Sequence, residues 1–265
     1  MKLGGKMNVE VNNANLSVPQ PLSSDRFKKD IILIESEPIC PTCKKTLNKR
    51  PTRKTRCPSC GNDIYVRSKP RVFSSTLLTK DESMAVDWLN KLEYHGIGQK
   101  DYIDKREELT KKFGRSPKPT DIIWKLYNGR IHEEIKSGNL WELKSLNWDM
   151  ALFLYEEGKE FFESLQESQK MHLMKYKQQG LVKVRIASSG NCPACIDMMG
   201  KVLAIEVALK EMPIPVKDCT FKLHGRTPGW CGCRYIPYLD DPEIDVPQSI
   251  IDKRKEDARL KKVIE

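Results

Sequence analysis

Long apolar runs are missing from this sequence. Nothing in its 265 residues approaches the roughly 18 consecutive apolar residues that a membrane helix needs. The opening stretch, MKLGGKMNVEVNN, carries no apolar segment of the kind found in a secretory leader. A soluble, intracellular protein is therefore expected, and a membrane partner is not. Catalytic signatures are scarce too. There is no P-loop, no G-x-G-x-x-G after a strand pattern and no G-x-S-x-G. The four histidines are His95, His132, His172 and His224, and His132 does not open an H-E-x-x-H motif. His95 and His172 lie on helical patterns and read as surface or half-buried side chains. Nothing here calls for an enzyme. Acids are rare at the start of the chain: residues 1–80 hold 6 Asp and Glu against 16 Lys and Arg, whereas residues 81–265 hold 30 of each sign. Cysteine is absent between Cys60 and Cys192.

The basic excess is concentrated further within 44–71. That stretch contains Lys44, Lys45, Lys49, Arg50, Arg53, Lys54, Arg56, Arg67, Lys69 and Arg71, with Asp63 its one acid. Clustered cations on an otherwise neutral chain point to a polyanion partner, because they release phosphate counterions on binding. The plainer reading is that the charges solubilise a small module.

The nine cysteines form two groups. The first is Cys40-Pro-Thr-Cys43 followed by Cys57-Pro-Ser-Cys60-Gly61. Two C-x-x-C turns offer two sulfurs each, which together close a tetrahedral metal site. Gly61 suits the sharp turn after the second pair, and Asp63 to Arg67 alternates as a strand does. A thioredoxin-like redox pair would need a following amphipathic helix, and neither C-x-x-C here leads into one. A disulfide reading would need an oxidising compartment. The arrangement resembles the zinc-ribbon family over residues 38–68, which implies one structural zinc held by Cys40, Cys43, Cys57 and Cys60. The hairpin between the pairs carries Lys44, Lys45, Lys49, Arg50, Arg53, Lys54 and Arg56 and no acid. Anchored by metal at both ends, it would present these cations to nucleic-acid phosphates at little ordering cost. Tyr65 either stacks on a base or covers the small core.

The second group is Cys192-Pro-Ala-Cys195, Cys219 and Cys231-Gly-Cys233, with His224 in the loop before the last pair. Residues 181–187 alternate as a strand entering a knuckle, Gly200 to Leu203 reads as the returning strand, and 205–211 as a short helix. One tetrahedral zinc needs four ligands. Cys192, Cys195, Cys231 and Cys233 are favoured because they form two short pairs. Cys219 can replace one sulfur of the tight C-x-C, and His224 is either a fourth ligand or a surface histidine. An excess of sulfurs suits structural rather than catalytic metal.

Residues 165–238 resemble the C-terminal part of the Mu-type phage head-morphogenesis (minor head protein) family. The matching residues are Gly180, Val182 to Ile186, Cys192, Pro193, Cys195, Gly200, Lys201, Val202, Pro213, Pro215, His224, Cys231 and Cys233. The family places its histidine three residues before the first cysteine of C-x-C. Here His224 is seven residues before Cys231, and Cys219 is extra. The resemblance implies a role in assembly, with self-association or a protein partner and a location in the virion.

Between the cysteine groups the pattern is helical. Met84, Val86, Trp88, Leu89 and Leu92 share a face ending at Gly96. Tyr102, Ile103, Leu109 and Phe113 form a second helix ending at Gly114. A third, capped by Thr120, carries Ile122, Ile123, Leu126, Ile131 and Ile135 to Gly138. The stretch 141–179 continues, divided at Gly158. Asp240, Asp241, Glu243 and Asp245 form an acidic cluster that can bind magnesium but reads more simply as a solvated loop.

The fold class expected is α+β in several modules: a disordered arm over 1–36, a zinc ribbon over 37–70, a mainly α-helical bundle over 81–179, a small α/β zinc-knuckle module over 180–240 and a charged helical tail over 248–265. Two Zn2+ sites are expected. The first function expected is nucleic-acid binding through the ribbon loop. Head-morphogenesis or assembly is the second, and a metal-dependent nuclease using the second cysteine site and the acidic cluster is the third.

Overall fold

Glycine and proline divide the helical stretch where the sequence predicts. A computed structural model describes residues 37–188, 190, 192–239 and 248–264. The arm 1–36 and the acidic cluster Asp240, Asp241, Glu243 and Asp245 lie outside the described residues. Helix α1 (Lys80–Leu92) opens with a capping box between Thr79 and Glu82, and Gly96 ends the turn that follows it. Helix α2 (Gln99–Phe113) stops at Gly114, and α3 (Pro119–Ser137) at Gly138. Helices α4 (Leu140–Glu156) and α5 (Phe162–Gln178) follow. Helix α3 starts with Pro119 as its first residue, so Thr120 lies inside the helix and is buried rather than capping it. Ile135, read as part of the apolar face, is exposed.

The bundle core is aromatic. Trp88 meets Tyr127 and Phe153 edge to face, at ring separations of 6.0 and 5.4 Å. Buried beside them is an ionisable group, His95. One ring nitrogen is 2.6 Å from a Glu142 carboxylate oxygen and the other 3.1 Å from Asp149. An imidazole with a carboxylate at each nitrogen donates to both only when protonated. Burial pulls the His95 pKa down, but the hydrogen bonds and charges of Asp149 and Glu142 outweigh it and hold it above the ordinary value.

The stretch between the expected ribbon and the expected bundle supplies a strand, Leu77–Leu78. Strand β2 (Asp63–Val66) pairs antiparallel with β1 (Thr55–Arg56) on one edge and β3 (Leu77–Leu78) on the other. Strand β3 runs straight into α1, and Arg67 grips Asp87 of α1 with two hydrogen bonds of 2.9 and 2.6 Å. Arg71 pairs with Glu93. The first cysteine module is thus fastened to the bundle by a strand and two ion pairs.

In the second sheet β4 (Lys183–Ala187) is central, with β5 (Val202–Ala204) and β6 (Arg234–Tyr238) antiparallel on either side. Helix α6 (Pro193–Met198) lies between β4 and β5, and α7 (Ile205–Glu211) follows β5. The charged tail forms helix α8 (Gln248–Ile264). It is not wholly solvated: Ile251 is buried, resting on Gly200, where a Cβ would come within 2.4 Å of it. Gly200 also has φ +77°, a backbone that favours glycine. No helix among the described residues is long and apolar enough to cross a membrane.

His95→Ala should destabilise the chain by about 2–4 kcal/mol, because it leaves two carboxylates facing each other in a partly buried site. In the intact protein the His95 contribution is complete below about pH 6.5 and fades as pH rises through its raised pKa. Denaturant melts across pH 5 to 9 check both expectations. Tyr127 is fully buried and its hydroxyl has no hydrogen-bond partner among the described residues. Tyr127→Phe should therefore be neutral or stabilising, by up to about 1 kcal/mol in the same melts.

Candidate metal centres and basic surface

The first four cysteines come together from two turns of the same construction. Cys40 N–H donates to Lys45 O, and Lys44 N–H returns to Cys40 O. Cys57 N–H donates to Asn62 O, and Gly61 N–H returns to Cys57 O. The fifth residue of each turn is left-handed: Gly61 at φ 71° and Lys44 at φ 62°. Sequence reasoning finds Gly61 and misses Lys44, because a lysine carries no sign of positive φ. Lys44 Nζ donates to Pro41 O at 2.8 Å, which ties the strained turn together.

The four sulfurs lie within 4.8 Å of one another, with Cys40 and Cys60 at 3.9 Å and Cys43 and Cys57 at 3.8 Å. Thiolates at about 2.3 Å from a tetrahedral ion stand about 3.8 Å apart. The donor set therefore fits one thiophilic ion. Burial opposes ionisation of Cys57, but the amides of Cys60 and Ser59 outweigh it and bring the thiol down to about 6. Cys43 moves the other way. The Lys45 amide favours its thiolate, yet burial and the neighbouring cysteines push it up to about 11. The set cannot ionise fully without a cation, so metal uptake must displace protons.

The second group gathers all five of its cysteines, every one buried. The pair Cys192-Pro-Ala-Cys195 makes the first turn of α6 rather than a plain knuckle. Pro193 stands at the first helical position, and Cys192 Sγ accepts from Cys195 N–H at 3.3 Å. Cys219 sits 3.6 Å from Cys192 and 3.7 Å from Cys195. Cys231 is 3.9 Å from Cys195. The favoured set of Cys192, Cys195, Cys231 and Cys233 does not gather as one compact tetrad. The sulfurs form two triads, Cys192–Cys195–Cys219 and Cys195–Cys231–Cys233, which share Cys195. Hydrogen bonds from Cys195 and Cys231 hold Cys233 down to about 4, whereas Cys195 is driven far up by Cys231 and Cys233. His224 is exposed, at φ 53°, and belongs to neither triad.

The residues that place Cys231 were not visible as a set in the sequence. Trp230 packs on Trp148, Tyr155 and Phe161 at ring separations of 5.2, 5.3 and 5.8 Å. The Tyr155 hydroxyl lies 2.9 Å from Leu223 O and 2.7 Å from Thr227 O, and Arg226 donates to Glu156 O. The loop between Cys219 and Cys231 is thereby laid on the end of α4.

The basic loop divides on inspection. Lys54 and Arg56 share Asp63, at 2.8 and 3.7 Å, and Lys54 also covers the Tyr65 ring at 4.8 Å. Arg50 donates to Thr76 Oγ1, and Lys44 is engaged in its own turn. Lys45, Lys49 and Arg53 are exposed, with no ion-pair partner among the described residues. Comparison with protein-family models, curated proteins and solved structures found no match.

Purified protein should carry metal at both centres. Cys57→Ser should lose the first equivalent only. Cys195→Ser, which breaks both triads, should empty the second, whereas Cys233→Ser should keep it. Metal analysis of each variant by mass spectrometry decides this.

Proposed function

We propose that this chain is a zinc-binding protein that grips nucleic-acid phosphates through the loop between its first two cysteine pairs. Zinc is the ion this reading assigns to both centres, in a structural role. The observation that carries it is a four-sulfur group with Lys45, Lys49 and Arg53 exposed on the loop it anchors and without an ion-pair partner among the described residues. A metal-held loop loses little entropy on binding, so its charges convert efficiently into affinity. Lys54 and Arg56 can join by exchanging Asp63 for phosphate, while Lys44 and Arg50 serve the fold.

A second reading is an assembly protein of the head-morphogenesis type. It is supported by the way the segment resembling that family forms a single small sheet, β5-β4-β6, around one sulfur cluster. It expects self-association and weak affinity for nucleic acid.

A salt titration of duplex binding by metal-loaded protein separates the two. Replacing Lys45, Lys49 and Arg53 with Ala should flatten the slope of log K against log salt by about 2–3, and a chelator should abolish binding. An unchanged slope removes this loop from the interface. Absent binding at full metal load favours the assembly reading.

A further inference from the structure

A second cationic surface lies far along the chain from the ribbon loop. Trp141, near the start of α4, is 57% exposed. Lys144 Nζ stands 4.5 Å above its ring, and His172 of α5 meets it edge-on at 6.5 Å. His172 in turn lies 4.4 Å from Tyr176. Helix α5 is laid across the start of β6: Gln169 Nε2 donates to Cys233 O at 3.3 Å and Tyr176 Oη to Tyr235 O at 3.5 Å. These two bonds flank Arg234, which is exposed and has no ion-pair partner among the described residues.

No carboxylate among the described residues pairs with the two cations. Glu142 faces His95, and Glu167 pairs with Lys170. Burial and the charge of Arg234 instead hold the Lys144 ammonium below its usual pKa. Burial, Lys144 and Arg234 bring His172 down to about 4, so it is a neutral ring at physiological pH. Two like charges acting on each other beside the exposed Trp141 ring suit an anion that also carries a flat ring.

We infer that the surface formed by Trp141, Lys144, His172 and Arg234 holds one nucleotide of a single-stranded nucleic acid, its phosphate between Lys144 and Arg234 and its base stacked on Trp141. A base finds its face in a duplex already stacked, so this surface selects unpaired strands. The inference rests on the nucleic-acid reading above and adds a second contact of different polymer preference. Arg234 lies between the two backbone carbonyls that Gln169 and Tyr176 hold, so α5 fixes the place of one of the two cations.

The test uses full-length, metal-loaded protein with a labelled oligothymidylate and, separately, a labelled duplex. Trp141→Ala should weaken single-strand binding on the order of 10-fold, and Trp141→Phe should keep most of it. Lys144→Gln combined with Arg234→Gln should flatten the single-strand salt slope by about 1.4. All three should keep duplex affinity and metal content. Unchanged single-strand affinity and slope would overturn the inference, as would an equal loss on both polymers. Wild-type protein that binds duplex but not the single strand refutes this inference alone. Wild-type protein that binds neither refutes the nucleic-acid reading itself.

Discussion

Five sulfurs meet where α6, the Cys219 loop and the start of β6 converge, and the C-terminal half of the chain is packed around that meeting. Thiolates less than 4 Å apart in a dry setting repel one another, so the group is either largely protonated or neutralised by a cation. The burial of the five cysteines among Val184, Ile186, Trp230 and Tyr235 makes them part of the core as well as a ligand set. Packing and chemistry are therefore coupled: α4 supplies the aromatic bed for Trp230, which sets Cys231, and α5 holds the backbone of Cys233.

The N-terminal module meets the same constraint with less to spend on it. Its core is Cys40, Leu47, Cys57, Ile64 and Leu77, so two of its buried residues are themselves candidate ligands. So small a core cannot offset the entropy of ordering its loops. Two further sources of order are in place. One is the sulfur tetrahedron. The other is the bundle, through β3 and the Arg67 grip on Asp87. The second makes this module an extension of α1 rather than a bead on a linker.

Much of this was legible. Helix ends at Gly96, Gly114 and Gly138 follow from one local fact, that glycine adopts the left-handed conformation at little cost. The first ligand group follows from two C-x-x-C turns, because each turn is a local structure that sets its own pair of sulfurs. What escaped depends on distant partners. Stretch 69–80 has no strand pattern worth reading, since β3 is two residues long and exists by pairing with β2. Lys44 and Arg50 looked equivalent to Lys45 and Lys49 on charge alone. Their separation came from a turn and a threonine 26 residues away.

The sequence by itself determined that the chain is α+β, that helical segments stop at Gly96, Gly114 and Gly138, and that its cysteines fall into two local groups with the basic excess beside the first. Each rests on neighbours within a few residues, where spacing and backbone preference suffice. Only the tertiary structure decided that Cys219 stands against Cys192 and Cys195 while His224 belongs to neither triad, that Cys195 is common to two triads, and that Trp141, Lys144, His172 and Arg234 share one surface. Those juxtapositions are made by packing between α4, α5 and β6, elements separated by tens of residues, and no local propensity encodes them.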